Sequence, residues 1–187
     1  MGRRAEPGRI SGMRESGLWF DRRFEFSFPA DLFPNLCVRL RGTPGRLDEM
    51  LRGRQPDLLI ARHEEKWSIQ EQAGHLLDLE SLWSARVDDF VEGKPHLSQA
   101  DLQNRKTHEA NHNARNIQEL LSEFRSARTA LAEKLETLKP AEFAQTLLHP
   151  RLQQPFRLVD HLYFVAEHDD HHLAKIWEGL NAKSGCQ

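Results

Sequence analysis

The chain has 187 residues, 39% of them hydrophobic and 29% charged, with a formal net charge of -2; this suits one globular domain with a sizeable core and excludes a disordered or fibrous chain. Acidic and basic residues are intermixed along most of its length, so no basic stripe exists to neutralise a run of phosphates, and nucleic acid is not an expected partner. No segment approaches the roughly 20 apolar residues of a membrane span and the start lacks the apolar run of a signal peptide, so no membrane association is expected and the expected location is cytoplasmic.

Residues 1–29 read as a flexible leader. Arg3, Arg4, Arg9 and Arg14 stand among Gly2, Pro7 and Gly8 with little apolar material, as in a disordered segment or a start misassigned upstream of Met13. The one strand-like pattern is the short Phe24-Glu25-Phe26 alternation. An all-α domain is expected over residues 30–182, with 183–187 as a tail. Its first helical stretch runs from about Leu32 to Arg52, and Gly42-Thr43-Pro44 is expected to divide it, with Thr43 capping the second half. The second opens with Ser68-Ile69-Gln70-Glu71, a capping box, and carries Ala73, Leu76, Trp83, Val87 and Phe90 on one face as far as Glu92, before Gly93 and Pro95. A third stretch from Thr107 to Leu138 has heptad-like Leu120, Phe124, Leu131 and Leu135 and stops before Pro140. The fourth, from Arg157 to Leu180, has Leu158, Leu162, Val165 and Ile176 as its stripe. Four amphipathic helices that cannot bury their faces alone make a four-helix bundle. Two cysteines, Cys37 and Cys186, supply no disulfide framework.

Ten histidines pose the chemical question. His168 and His172 are four apart on the fourth helix, so both rings face one side about a turn apart, beside Val165 and Ile176, where they can take two positions on one ion. His75 falls angularly between Leu79 and Leu82 on the second helix. Together the three form a set that leaves coordination positions open. His161, seven residues before His168, is a substitute ligand or a support for one. By helical wheel His108 and His112 face solvent, while His63, His96 and His149 fall in loops and His171 points elsewhere. Glu71, Asp78, Asp160, Asp169 and Asp170 are candidate acceptors for the second ring nitrogen of a ligand histidine. Asn113 and Arg128 face inward on the third helix, as cavity lining or satisfied polar core. Imidazole ligation alone suits zinc, nickel, copper or ferrous iron.

The start of the second helix, Trp67-Ser68 with Glu71 and His75-Leu76, and His168-Asp169-Asp170-His171-His172 near the end resemble the DinB/YfiT-like metalloenzymes of the DinB superfamily, in the family's order and over roughly residues 30–180. The resemblance implies a four-helix bundle holding one divalent metal ion, usually zinc or nickel, on His75, His168 and His172. It also implies a small-molecule substrate, for some relatives a low-molecular-weight thiol cosubstrate such as bacillithiol or mycothiol, and a homodimer. Residues before 30 lie outside the family pattern.

The expected function is a metal-dependent enzyme, a thiol-dependent S-transferase or a hydrolase acting on a small electrophile. Glu71 and Asp169 are the candidates for a general base, and Trp67, Trp83 and Phe164 for shaping the pocket. Two alternatives remain at this stage. One is a metal-stabilised bundle without catalysis, its fourth ligand supplied by His161 or Asp169; the other is a metal-free bundle that binds a partner.

Overall fold

The computed structural model describes residues 19–64 and 66–182; the arginine-rich stretch up to residue 18 and the tail 183–187 lie outside the described residues. In chain order the helices are α1 (Phe33–Leu51), α2 (Pro56–Ile60), α3 (Ile69–Val91), α4 (Arg105–Glu109) and α5 (Ile117–Glu136). A hairpin of β1 (Thr146–His149) and β2 (Gln154–Arg157) then leads into α6 (Leu158–Ala182). The four long helices pack in a ring in which α5 and α6 each touch both α1 and α3. The expected four-helix bundle is therefore the architecture. No helix among the described residues is long and apolar enough to cross a membrane.

Helix α3 starts where the capping box places it: the Ser68 side chain accepts from the Glu71 backbone N–H, and Glu71 accepts from the Ser68 backbone N–H in return. It stops at Gly93, whose φ of 65° ends the helix at no steric cost. Asn116 caps α5 through its side-chain oxygen. Asp160 reaches back one turn to accept from the backbone N–H of Arg157 at 2.9 Å, which starts α6.

The sequence expectations need correction at four places. First, α1 is continuous through Gly42-Thr43-Pro44. Pro44 has no N–H for the Leu40 carbonyl four residues back, and the Arg128 side chain donates to that carbonyl instead, at 3.2 Å. Thr43 is accordingly not a cap; its hydroxyl donates to Asp169 at 2.8 Å. Second, the helix expected from Thr107 is broken into α4, a short 3-10 turn and α5. Asn111 takes a left-handed φ of 47° there, a conformation asparagine tolerates better than most residues.

Third, strands occur after residue 26. β1 and β2 pair antiparallel from Thr146 opposite Arg157 to His149 opposite Gln154, and the Leu97 backbone N–H donates to the Leu148 carbonyl, tying the α3–α4 loop to the hairpin. Fourth, packing reaches back before residue 30, into the stretch read as flexible leader. Trp19, Phe24, Phe26 and Phe28 lie on the main core cluster, with Trp19 5.2 Å from Phe24 and 5.0 Å from Phe164 between ring centres. An extended aromatic segment has no helical period and so leaves little pattern to read.

Two apolar clusters form the core. Leu36, Leu40, Val87, Leu131 and Val165 belong to one, and Leu47, Leu76, Leu120, Phe124 and Ile176 to the other. On each long helix the seam between them carries a polar residue: Thr43, Glu80, Arg128 and Asp169, all buried.

Candidate metal centre

His75 on α3 and His168 and His172 on α6 come together, one ring nitrogen of each lying within 4.8 Å of the other two. All three rings are buried. His75 Nδ1 is 2.9 Å from the Thr107 hydroxyl, which spends its own proton on Asp78 at 2.8 Å. The hydroxyl oxygen therefore accepts from Nδ1–H, and the Nε2 lone pair of His75 is left free. His172 is fixed in the same way, because its Nδ1 is 2.6 Å from the Gln72 side-chain carbonyl, which can only accept. Its Nε2 is 3.1 Å from Nε2 of His168. His168 is placed by packing: Trp19 and Trp83 stand edge-on to it with ring centres at 5.0 and 5.6 Å, and among the described residues its buried Nδ1 has no partner.

Burial pushes the His75 pKa down to about 4, which Asp78 only partly offsets. It also holds His168 and His172 well below the ordinary imidazole range. Three neutral imidazoles with converging lone pairs, two of them oriented through the opposite nitrogen, fit a divalent transition-metal ion.

The orienting contact is itself built from α3 and the segment after it. Gln70 donates to the backbone carbonyls of His112 and Arg115 at 2.6 and 2.8 Å, and Lys106 donates to the Asp78 carbonyl at 2.9 Å. These bonds strap residues 106–115 to α3 and bring Thr107 to His75. His112 Nε2 is 2.8 Å from Asp78, which steadies the carboxylate on which Thr107 depends. The approach needs Gly74: a Cβ at that position would land on the His112 ring.

A cavity of about 290 Å³ opens over the three histidines. Trp19, Trp67, Trp83 and Phe164 wall it, the α3–α4 loop at Gln99–Leu102 and the hairpin turn at His149–Arg151 form its mouth, and Arg86 lines it from α3. Aromatic walls surround the three imidazoles and leave one side of the cluster accessible.

Against known protein families, residues 39–176 match the model of the DinB superfamily. The chain belongs to the DinB superfamily. Two solved structures share the bundle of this DinB-superfamily chain. YfiT from Bacillus subtilis, described as a probable metal-dependent hydrolase with an unusual four-helix bundle topology, is 18% identical; the match covers 89% of this chain and 95% of YfiT, with a TM-score of 0.75. A mycothiol-dependent maleylpyruvate isomerase is 10% identical over 78% of this chain and 60% of its own, with a TM-score of 0.61. No curated protein sequence matches the chain at a significant level.

The DinB-superfamily site leaves several sequence candidates outside it. Glu71 is engaged by Arg62 and the Ser68 N–H. Burial alone would raise its pKa, but these bonds lower it. Asp169 is held by Arg128 and Thr43, and neither carboxylate lines the cavity. Asp160 caps α6 and Asp170 pairs with Arg39 and Arg46. Of the five carboxylates considered, only Asp78 supports a ligand ring, and it does so through Thr107. His161 is buried against Trp83 and Phe90 rather than joining the triad. Asn113 accepts from Ser68 at the start of α3, and Arg128 is satisfied polar core. His108 is exposed as expected, whereas His112 is buried; the break at Asn111 re-aims it in a way a continuous helical wheel cannot show. His149, expected in a loop, is a buried end of β1 on the cavity wall. Cavity-lining Arg86 and Arg151 carried no motif, and Arg151 reaches the site only because the hairpin forms.

Proposed function

We propose that this chain is a divalent-metal-dependent enzyme that hydrolyses a small electrophilic substrate or transfers a low-molecular-weight thiol to it, with the ion held by His75, His168 and His172. The observation that carries this reading is the convergence of three buried, neutral imidazoles on one side of a cavity, two of them with the tautomer fixed by Thr107 and Gln72. A bound zinc or nickel ion would supply Lewis acidity, making a nucleophile of water or a thiol near neutral pH. Thr107 and Gln72 hold the ring protons at Nδ1, so the ligand nitrogens need shed none. Trp67 and Trp83 give the cavity apolar walls. With Glu71 and Asp169 both occupied elsewhere, neither is assigned the proton-transfer role. A purely structural ion is less well supported, since closed structural zinc sites use four protein ligands and the described residues bring together three. Of the two structural neighbours, one is described as a probable metal-dependent hydrolase, which supports the hydrolytic branch, and the other is a mycothiol-dependent isomerase, which supports a thiol cosubstrate.

The test is metal content by mass spectrometry on untagged protein, wild type beside His168→Ala. About one equivalent per chain is expected in the wild type, with most of it lost in the variant. A wild type that carries no metal and takes up neither added zinc nor added nickel overturns the proposal.

A further inference from the structure

The cavity has a second chemical pole away from the histidine triad. Arg86 on α3 and Arg151 in the hairpin turn both line it, with His149 between them. His149 Nδ1 accepts from the backbone N–H groups of Arg151 and Leu152, at 3.3 and 3.1 Å, so in the neutral ring the proton is on Nε2. Arg86 Nη1 approaches that same nitrogen at 3.4 Å. Two donors face each other there, and neither satisfies the other.

No carboxylate among the described residues is hydrogen-bonded to Arg86, whose Nε donates to the Ser98 carbonyl at 3.0 Å. Asp89, one turn along, is engaged by Lys94 and the Ser98 N–H. Arg151 lies 5.4 Å over the Phe20 ring and 5.8 Å over that of Phe164, and among the described residues its buried Nη2 has no partner. Burial pushes the Arg86 pKa down to about 10, with Arg151 adding to the effect and Asp89 offsetting only part. Among the described residues the one acid on the cavity wall is Asp101, an exposed rim residue that accepts from the backbone of Gln103 and Arg105. Two guanidinium groups and an N–H donor thus share a half-buried corner in which, among the described residues, no carboxylate is hydrogen-bonded to either guanidinium.

We infer that Arg86, Arg151 and His149 Nε2–H form an anion subsite that takes the carboxylate or phosphonate-type oxygens of a small organic anion with an apolar body. Guanidinium forks match such oxygens in geometry and charge, and the aromatic walls accept the body. The inference rests on the proposed function in one respect: the anchored anion is the substrate, whose other end faces the histidines.

The experiment is calorimetric titration of the full chain with phenylacetate, phenylphosphonate and neutral 2-phenylethanol, in zinc-loaded and chelator-treated protein, for wild type and Arg151→Met. At least one anion should bind the wild type about tenfold or more tighter than the alcohol, with or without metal. Arg151→Met should lose that preference while keeping its circular dichroism spectrum and zinc content. The identity of the preferred anion assigns the head group. Equal binding of anions and alcohol by the wild type overturns the inference even if the variant does not fold, as does a preference that appears only with zinc or survives in Arg151→Met. A wild type that refuses metal but keeps the anion preference would overturn the proposed function and leave the subsite standing; one zinc per chain without anion preference does the reverse.

Discussion

Arg86 and Arg128 are both among the largest fully buried side chains of the molecule, and their surroundings are opposite. Arg128 donates to Glu80 at 2.5 Å, to Asp169 at 2.5 Å and to the Leu40 carbonyl at 3.2 Å. Burial alone would lower its pKa, but the two carboxylates outweigh this and raise it. Among the described residues, Arg86 has no carboxylate in hydrogen-bond contact. The same division runs through neighbouring residues of α6: about 100° of helical rotation separates His168, facing the cavity, from Asp169, facing the seam between the two apolar clusters. In the seam every charge is answered from within the chain, whereas around the cavity lone pairs and donors have no partners among the described residues. Completeness marks the part that holds the bundle together, and incompleteness the part proposed to take a ligand.

The largest expected effect tests the completed cluster. Arg128→Met leaves Glu80 and Asp169 buried together with no cation, and should cost about 3–5 kcal/mol in urea denaturation without removing the histidine site. A loss under about 1 kcal/mol would erase the distinction drawn between the two arginines. Next comes the open cluster. Thr107→Val keeps the shape of the side chain but removes the acceptor of His75 Nδ1–H, so zinc affinity measured by chelator competition should fall about 10- to 100-fold. An unchanged affinity would mean that Thr107 does not orient the ligand.

Third comes the acid sensitivity of the metal-free protein, which accumulates with each pH unit. Folded-state pKa values of about 4 for His75 and about 3 for His149 lie below the unfolded value near 6.5. The unfolded chain therefore binds more protons in that interval, and stability must fall as pH drops below about 6.5, by up to about 1.4 kcal/mol per pH unit for each such histidine. Glu71 and Asp78, whose pKa values are lowered in the fold, add to the loss only at lower pH. Urea midpoints that stay level between about pH 7 and pH 5 would show that the cavity histidines are not held neutral.

Much of this was legible in the sequence. The spacing of His168 and His172 beside Val165 and Ile176 puts both rings on one side of α6, and the Ser68 capping box fixes the rotation of α3 well enough to aim His75 at them. Periodicity within one helix carried those inferences. Where the decisive contact spans distant segments, periodicity is silent. His112 looks solvent-facing unless the chain is known to turn at Asn111, and its fit against Gly74 exists only in three dimensions. His149 and Arg151 become cavity residues through strand pairing, and strands of four residues leave almost no pattern. Trp19 joins His168 across most of the chain length.

Helix α1 shows the same dependence on distant segments. Gly42, Pro44 and Gly45 disfavour its middle by about 5 kcal/mol in intrinsic propensity, roughly 3 from the proline and 1 from each glycine. The stranded Leu40 carbonyl and the Thr43 hydroxyl find their partners on α5 and α6. Residues 33–51 therefore do not carry their own instruction to be helical. The segment is templated by the rest of the bundle, so its helicity and its docking form one cooperative event.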